Sequence, residues 1–371
     1  MMPLAILFGL LTGVSDAATF SLEYRTDGKS AGFSLPLGES EVRFKKEPNY
    51  VGKDVVRCAL YVSPDQKEFI GFACDSEGST LYLDLNRNLD LTDDPEGIIH
   101  STSEGWGNSF EQVAISVEQE GRRRDMLVDM TIYGDQWGRY EVKSSWESSS
   151  VLIGEKTFRV SIVDDGDGVI TAQDVLFLEP IEEFQEEGAE GISVELKAPT
   201  TLVLNGLPYA LNYALSSDGK AVALSVDPRS TPLVEVEMKG HGVERIVMQD
   251  EALASVYLGP SSILQIPPGN YYGDVWVRMG EGKKSSLWNA GNVPLRVKGG
   301  SGRESWLVGG PIVSKLTSSI PSNRIRFDQA TMGAGGEKYT PDSFSGGAIG
   351  QPKLRIKKAG EVIHVGEFEY G

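Results

Sequence analysis

Two turn dipeptides, Asn205-Gly206 and Asp218-Gly219, interrupt an alternating run at residues 201–226, TLVLNGLPYALNYALSSDGKAVALSV. A two-residue type I′ hairpin turn needs positive φ at both central residues, which Asn-Gly and Asp-Gly adopt with the least steric penalty. Centring the turns on these pairs opposes Leu204 to Leu207, Leu215 to Val222 and Tyr213 to Leu224. The run is therefore expected to fold as a three-stranded meander. Because strand side chains alternate, Tyr209, Leu211, Tyr213 and Leu215 fall on one face.

The same punctuation spans the chain. Strand patterns recur at 33–37, 81–83, 113–117 (closed by Glu120-Gly121), 126–132 and 140–142. Pro267-Pro268-Gly269 precedes an alternation through Val275, Val277 and Met279, and residues 353–357 and 362–370 flank Ala359-Gly360 as a closing hairpin. Glycine-rich stretches at 299–302, 333–336 and 346–347 add further turns. Laying 151–168 over the meander sets Phe158 on Tyr209, Val160 on Leu211, Ile162 on Tyr213 and Asp167-Gly168 on Asp218-Gly219, a weak internal repeat. The best helix candidate, 173–190, is broken by Pro180. Short strands with frequent turn signals predict an all-β fold of tandem β-sandwich-like domains. The expected division is an N-terminal β domain at 18–228, a sandwich-like domain at 229–299 and a Gly-rich β region at 300–371.

Residues 3–14 (PLAILFGLLTGV) form an apolar run too short to span a bilayer, followed by the small-x-small site Ser15-Asp16-Ala17. Residues 1–17 are read as a secretory signal, so the protein is expected to be secreted, periplasmic or at the cell surface. No later apolar run is long enough for a membrane span. In an oxidising compartment Cys58 and Cys74 are expected to form a disulfide. Pairing Val62 with Ile70 across the Pro64–Lys67 turn places Leu60 opposite Phe72 and Cys58 opposite Cys74. The net charge of −18 argues against binding a nucleic-acid backbone, which needs clustered Lys and Arg, and suits binding of cations. Arg122-Arg123-Arg124, beside the Gly121 turn, reads as a solvated hairpin tip.

Two acidic loops carry the candidate chemistry. In the first, oxygen-bearing side chains alternate through Asp84, Asn86, Asn88, Asp90, Thr92 and Asp94. The second holds Asp164, Asp165, Asp167 and Asp174, with Gly166 and Gly168 between them. Calcium takes six to eight hard oxygen ligands at about 2.3–2.6 Å, and alternate residues of a looping chain can face one ion. The first loop resembles the calcium loop of EF-hands and dockerins. Asp84, Asn86, Asn88 and Asp90 match its first, third, fifth and seventh positions, and Leu91 its apolar eighth. Leu89 stands where that family has Gly, and Pro95 where it has a bidentate acid. In the second, Asp167, Gly168, Ile170, Thr171 and Asp174 match the fifth, sixth, eighth, ninth and twelfth positions, while the front half is one residue short. The whole pattern also resembles uncharacterised secreted bacterial β-proteins with a Gly-rich C-terminus ending near Phe368-Glu369-Tyr370-Gly371. What the resemblance implies is Ca2+ at Asp84, Asn86, Asn88, Asp90 and Asp94, and at Asp164, Asp165, Asp167 and Asp174.

Other chemistry has less support. His100, His241 and His364 are far apart in sequence, and neither zinc-site spacing nor a G-x-S-x-G elbow occurs. Residues 333–337 read as a loop, not a phosphate cradle. Trp106, Trp137, Tyr272 and Trp276 could stack on sugars, although core packing is the more ordinary use. The leading expectation is thus a non-catalytic, calcium-stabilised module that contacts a cell-surface protein or glycan. A secreted carbohydrate-active enzyme using a carboxylate pair and a dockerin-like scaffold partner are the alternatives.

Overall fold

The computed structural model describes residues 17–371 except 36, 38–41, 104–106, 120–121, 135–136, 182–192, 251, 260, 280–285, 301, 320–325, 342–352, 359–360 and 368–371. Residues 1–16 of the expected signal, Trp106, the Glu120-Gly121 turn, the acidic run after Ile181, Gly346-Gly347, Ala359-Gly360 and the Phe368–Gly371 ending lie outside the described residues. The protein is all-β, and its chain divides into two compact units, 1–231 with 251–254 and 232–250 with 255–371.

Among the described residues, the first unit contains three antiparallel sheets. One orders Ala31–Leu35, Trp137–Val142, Arg122–Tyr133 and Asn108–Gln119. A second orders Val55–Tyr61, Phe69–Asp75, Thr80–Leu83 and Ile98–His100. Their inward residues, including Phe72, Leu81, Phe110, Ile115, Val128 and Met130, share one buried cluster. That packing is what strands with a single apolar face require. The third sheet orders Val194–Lys197, Val175–Pro180, Lys156–Val163, Ser145–Ile153, Ala18–Arg25, Ala221–Pro228, Leu207–Leu215 and Thr201–Leu204. Val163, Val175 and Phe177 of this sheet join the same cluster.

The meander has the expected register: Leu204 opposes Leu207, Tyr213 opposes Leu224 and Leu215 opposes Val222. The two segments of the weak repeat are hairpins on opposite sides of Ala18–Arg25, which pairs with Ser145–Ile153 on one edge and Ala221–Pro228 on the other. The helix candidate is corrected, since Val175–Pro180 is a strand running antiparallel to Lys156–Val163. Its apolar residues Val175, Leu176, Phe177 and Leu178 are all buried, so sheet burial overrides any helical preference.

The cysteine pairing is also corrected. Tyr61 opposes Phe69, Leu60 opposes Ile70 and Cys58 opposes Phe72, while Cys74 opposes Val56. The hairpin closes over a longer loop, where the Val62 N–H donates to the Glu68 carbonyl and the Ser63 hydroxyl accepts the Glu68 N–H. The slip of two residues keeps both thiols on the core face but makes them diagonal neighbours, about 7–8 Å apart on the strand lattice. Both are fully buried and not joined in a disulfide.

In the second unit, Val234–Met238 lies between Ile263–Ile266 and Glu304–Trp306, and Val243–Gln249 pairs with Gly269–Met279. Gly269–Met279 in turn pairs with Ser286–Val297, which continues to Lys338–Pro341. Val275 and Val277 are buried, as the alternation predicts, and Lys353–Lys358 pairs with Glu361–Glu367 as the closing hairpin. Among the described residues no helix is long and apolar enough to cross a membrane.

Candidate metal centre

The stretch 164–174 connects the adjacent strands Lys156–Val163 and Val175–Pro180. Val163 opposes Val175 and both are buried, so the loop leaves and re-enters the sheet at the rim of the core. Three of its carboxylates are held inside, with Asp164 3%, Asp167 9% and Asp174 0% exposed, and Asp165 is half-buried.

The loop winds around these side chains. Asp164 Oδ1 accepts the N–H groups of Gly166 (2.5 Å) and Gly168 (3.3 Å). Asp165 Oδ1 accepts from Asp167 N–H at 3.1 Å, and Asp167 Oδ1 from Val169 N–H at 2.8 Å. Asp174 Oδ1 accepts from Asp165 N–H at 2.8 Å and its Oδ2 from Thr171 N–H. Asp side chains folded back on nearby amides make tight Asx-type turns. Gly166 and Gly168 sit at φ +106° and +82°, where a side chain would be strained. The result brings carboxylate oxygens of Asp164, Asp165 and Asp174 within 4.8 Å of one another, the one such group of His, Cys, Asp or Glu side chains among the described residues.

One buried cation faces the group. Arg124, on Arg122–Tyr133, reaches from a different sheet and donates Nη1 to Asp164 Oδ2 at 3.2 Å and Nη2 to Oδ1 at 3.0 Å. Its guanidinium carbon lies 4.8 Å from the Trp146 ring and 6.0 Å from the Tyr24 ring, within cation–π range. A single guanidinium cannot neutralise four carboxylates. Burial, then repulsion from Asp167 and Asp164, pushes Asp165 up to about 7. Burial raises Asp167 to about 6. Asp174 is raised as well, by burial first and Asp164 second. Crowded buried carboxylates must take up protons or a cation. The all-oxygen donor set fits a hard divalent ion such as calcium, and Asp165 and Asp174 each retain open lone pairs for it.

The first loop is built alike but is more self-contained. Asp84 follows the buried Leu83, is itself buried, and accepts the Asn88 and Leu89 N–H groups on its two oxygens at 3.0 and 2.9 Å. Asn86 and Asn88 turn their amide groups onto Asp93, at 3.1 and 2.8 Å. Their carbonyl oxygens accept the Asn88 and Asp90 N–H groups. Asp90 accepts the Thr92 N–H and hydroxyl and the Lys46 ammonium. Asp94 accepts the Asn86 N–H at 3.5 Å, and burial first among its causes raises its carboxyl. Leu89, where the resembled loop has Gly, takes the left-handed conformation all the same (φ +67°). Gly168, at the matching position of the second loop, does so too.

All nine candidates lie in loops, and two residues that the loop spacing does not single out, Arg124 and Asp93, join them. Arg124 is no solvated tip. Strand alternation puts it on the inward face with Met126, Val128, Met130 and Ile132, while Arg123 is exposed. Counting back by twos from Met126 is the signal that finds it. Trp137 and Tyr272 are exposed, and Trp276 packs against Arg245. Compared with family models, curated proteins and solved structures, the chain finds no match.

Proposed function

We propose that this is an exported, calcium-stabilised β-protein for surface or extracellular interaction, with the ion held by the 164–174 loop. One observation carries the reading: oxygens of Asp164, Asp165 and Asp174 gather within 4.8 Å at the rim of a buried core, faced by one guanidinium. A divalent ion removes the repulsion among these groups and pins the ends of two core strands. The partner classes that suit such a module are a cell-surface protein or a glycan. The acids converge inside one hairpin loop instead of facing each other across a groove, which favours ion holding over paired-carboxylate glycoside hydrolysis. The test is thermal melting of the purified protein in calcium and in chelator. At a free calcium concentration 100 times Kd, about 2.7 kcal/mol of added stability is expected. Identical melting in both conditions overturns the reading.

A further inference from the structure

The three acids that gather in the 164–174 loop are not equivalent. Asp164 Oδ1 already accepts three donors, the Gly166 and Gly168 N–H groups and Arg124 Nη2, and its Oδ2 accepts Arg124 Nη1. A carboxylate offers about two acceptor sites per oxygen, so Oδ1 is saturated and Oδ2 is half used. Asp174 accepts one N–H on each oxygen, and Asp165 accepts one on Oδ1. Of the three acids whose oxygens gather, the open acceptor capacity therefore lies on Asp165 and Asp174.

Resting on the calcium reading above, we propose that Asp164 is a positioning residue and that Arg124 is its built-in counter-cation, which holds Asp164 away from the ion and leaves Asp165 and Asp174 to ligate it. The arrangement supplies what the shortened front of the loop lacks. Asp164 shapes the backbone through Gly166 and Gly168, and Arg124 offsets its charge without occupying the ion's place. It also ties the ion loop to two other sheet elements. Arg124 belongs to Arg122–Tyr133, and its guanidinium packs near Trp146 of Ser145–Ile153.

The test is calcium affinity, by calorimetric titration of the full chain, for the parent, Arg124→Met, Arg124→Lys, Asp164→Asn, Asp165→Asn and Asp174→Asn, with folding of each checked by near-ultraviolet circular dichroism. Removing Arg124's charge frees Asp164 toward the ion, so Arg124→Met is expected to bind calcium at least fivefold tighter while melting lower in chelator. Arg124→Lys, which keeps the charge, is expected to return affinity toward the parent. Asp165→Asn and Asp174→Asn are expected to weaken binding at least tenfold, and Asp164→Asn by less than threefold. A merely structural Arg124 would lower the melting point without tightening the ion. Unchanged or weaker binding by folded Arg124→Met overturns the proposal. So does an Asp164→Asn loss equal to that of Asp165→Asn, an arm that stands even where the Arg124 variants fail to fold. A parent that binds no calcium overturns the calcium reading itself, and this proposal with it, whereas a binding parent with the wrong variant order overturns this proposal alone.

Discussion

Arg124 and Asp164 form a two-pronged ion pair, at 3.0 and 3.2 Å, between strands of different sheets and with both side chains buried. The sheets that meet at this pair also share the core cluster, so electrostatics and packing are coupled at one point. Removing one partner of a buried pair strands the other without solvent, at a cost of about 3–5 kcal/mol. Asp164→Ala is accordingly expected to lose stability on that scale in urea denaturation. A loss below about 1 kcal/mol would show that Arg124 finds another partner.

The raised carboxyls of Asp165, Asp167 and Asp174 make the ion-free protein less stable as pH rises. A carboxyl whose folded pKa lies above its unfolded value near 3.9 holds its proton more tightly when folded. Stability in chelator is therefore expected to fall as pH rises from about 4 through the folded values of about 6 and 7, and further as the more strongly raised Asp174 ionises. Calcium should flatten that slope, because it favours the ionised form. Melting temperatures from pH 4 to 8, with calcium and with chelator, check both statements.

Asp75 behaves in the opposite sense. It is fully buried and accepts the N–H groups of Val51, Gly52 and Gly78 at 2.7, 3.1 and 3.0 Å. Burial alone would raise its carboxyl, but these bonds outweigh it and hold the pKa below the usual value. The stability it confers is present above the unfolded pKa near 3.9 and is lost as pH falls through the folded one. Asp75→Asn is expected to cost about 1–3 kcal/mol at pH 7, because an amide nitrogen cannot accept those bonds. The variant should also lose less stability than the parent between pH 5 and 2. Urea denaturation across that range measures both effects.

Leu89 carries backbone strain that a glycine would relieve. Left-handed backbone costs an L-residue roughly 1–2 kcal/mol, and a β-branched side chain more. Leu89→Gly is expected to hold or raise the melting temperature, despite the loss of a half-buried side chain, and Leu89→Val to lower it. Equal effects of the two would show that the φ at this position is not limiting.

The cysteines give a chemical check on register. Cys58 and Cys74 are buried and not joined in a disulfide, and burial pushes the Cys74 thiol up to about 11. Thiol titration without reductant is expected to find none reactive in the folded protein and two after denaturation. A denatured protein with no free thiol would require the strands to slip by two residues.

Local chemistry in the chain determined the all-β class, the meander register and the two acidic loops, because Asn205-Gly206, Asp218-Gly219 and alternating apolar residues act within a few positions of themselves. The meander pairs as the sequence predicts because two-residue turns leave no freedom of register. The Cys58 hairpin does not, because its longer loop admits several registers and the Val62–Glu68 and Ser63–Glu68 bonds select one. Only the tertiary structure decided that Arg124 closes on Asp164, forty residues further along the chain, and that the second loop rather than the first gathers buried carboxylates. The physical reason is that sequence spacing specifies which residues share a strand face. The partner across a core, and the desolvation that makes one acidic loop crave a cation, exist only once separate sheets have packed.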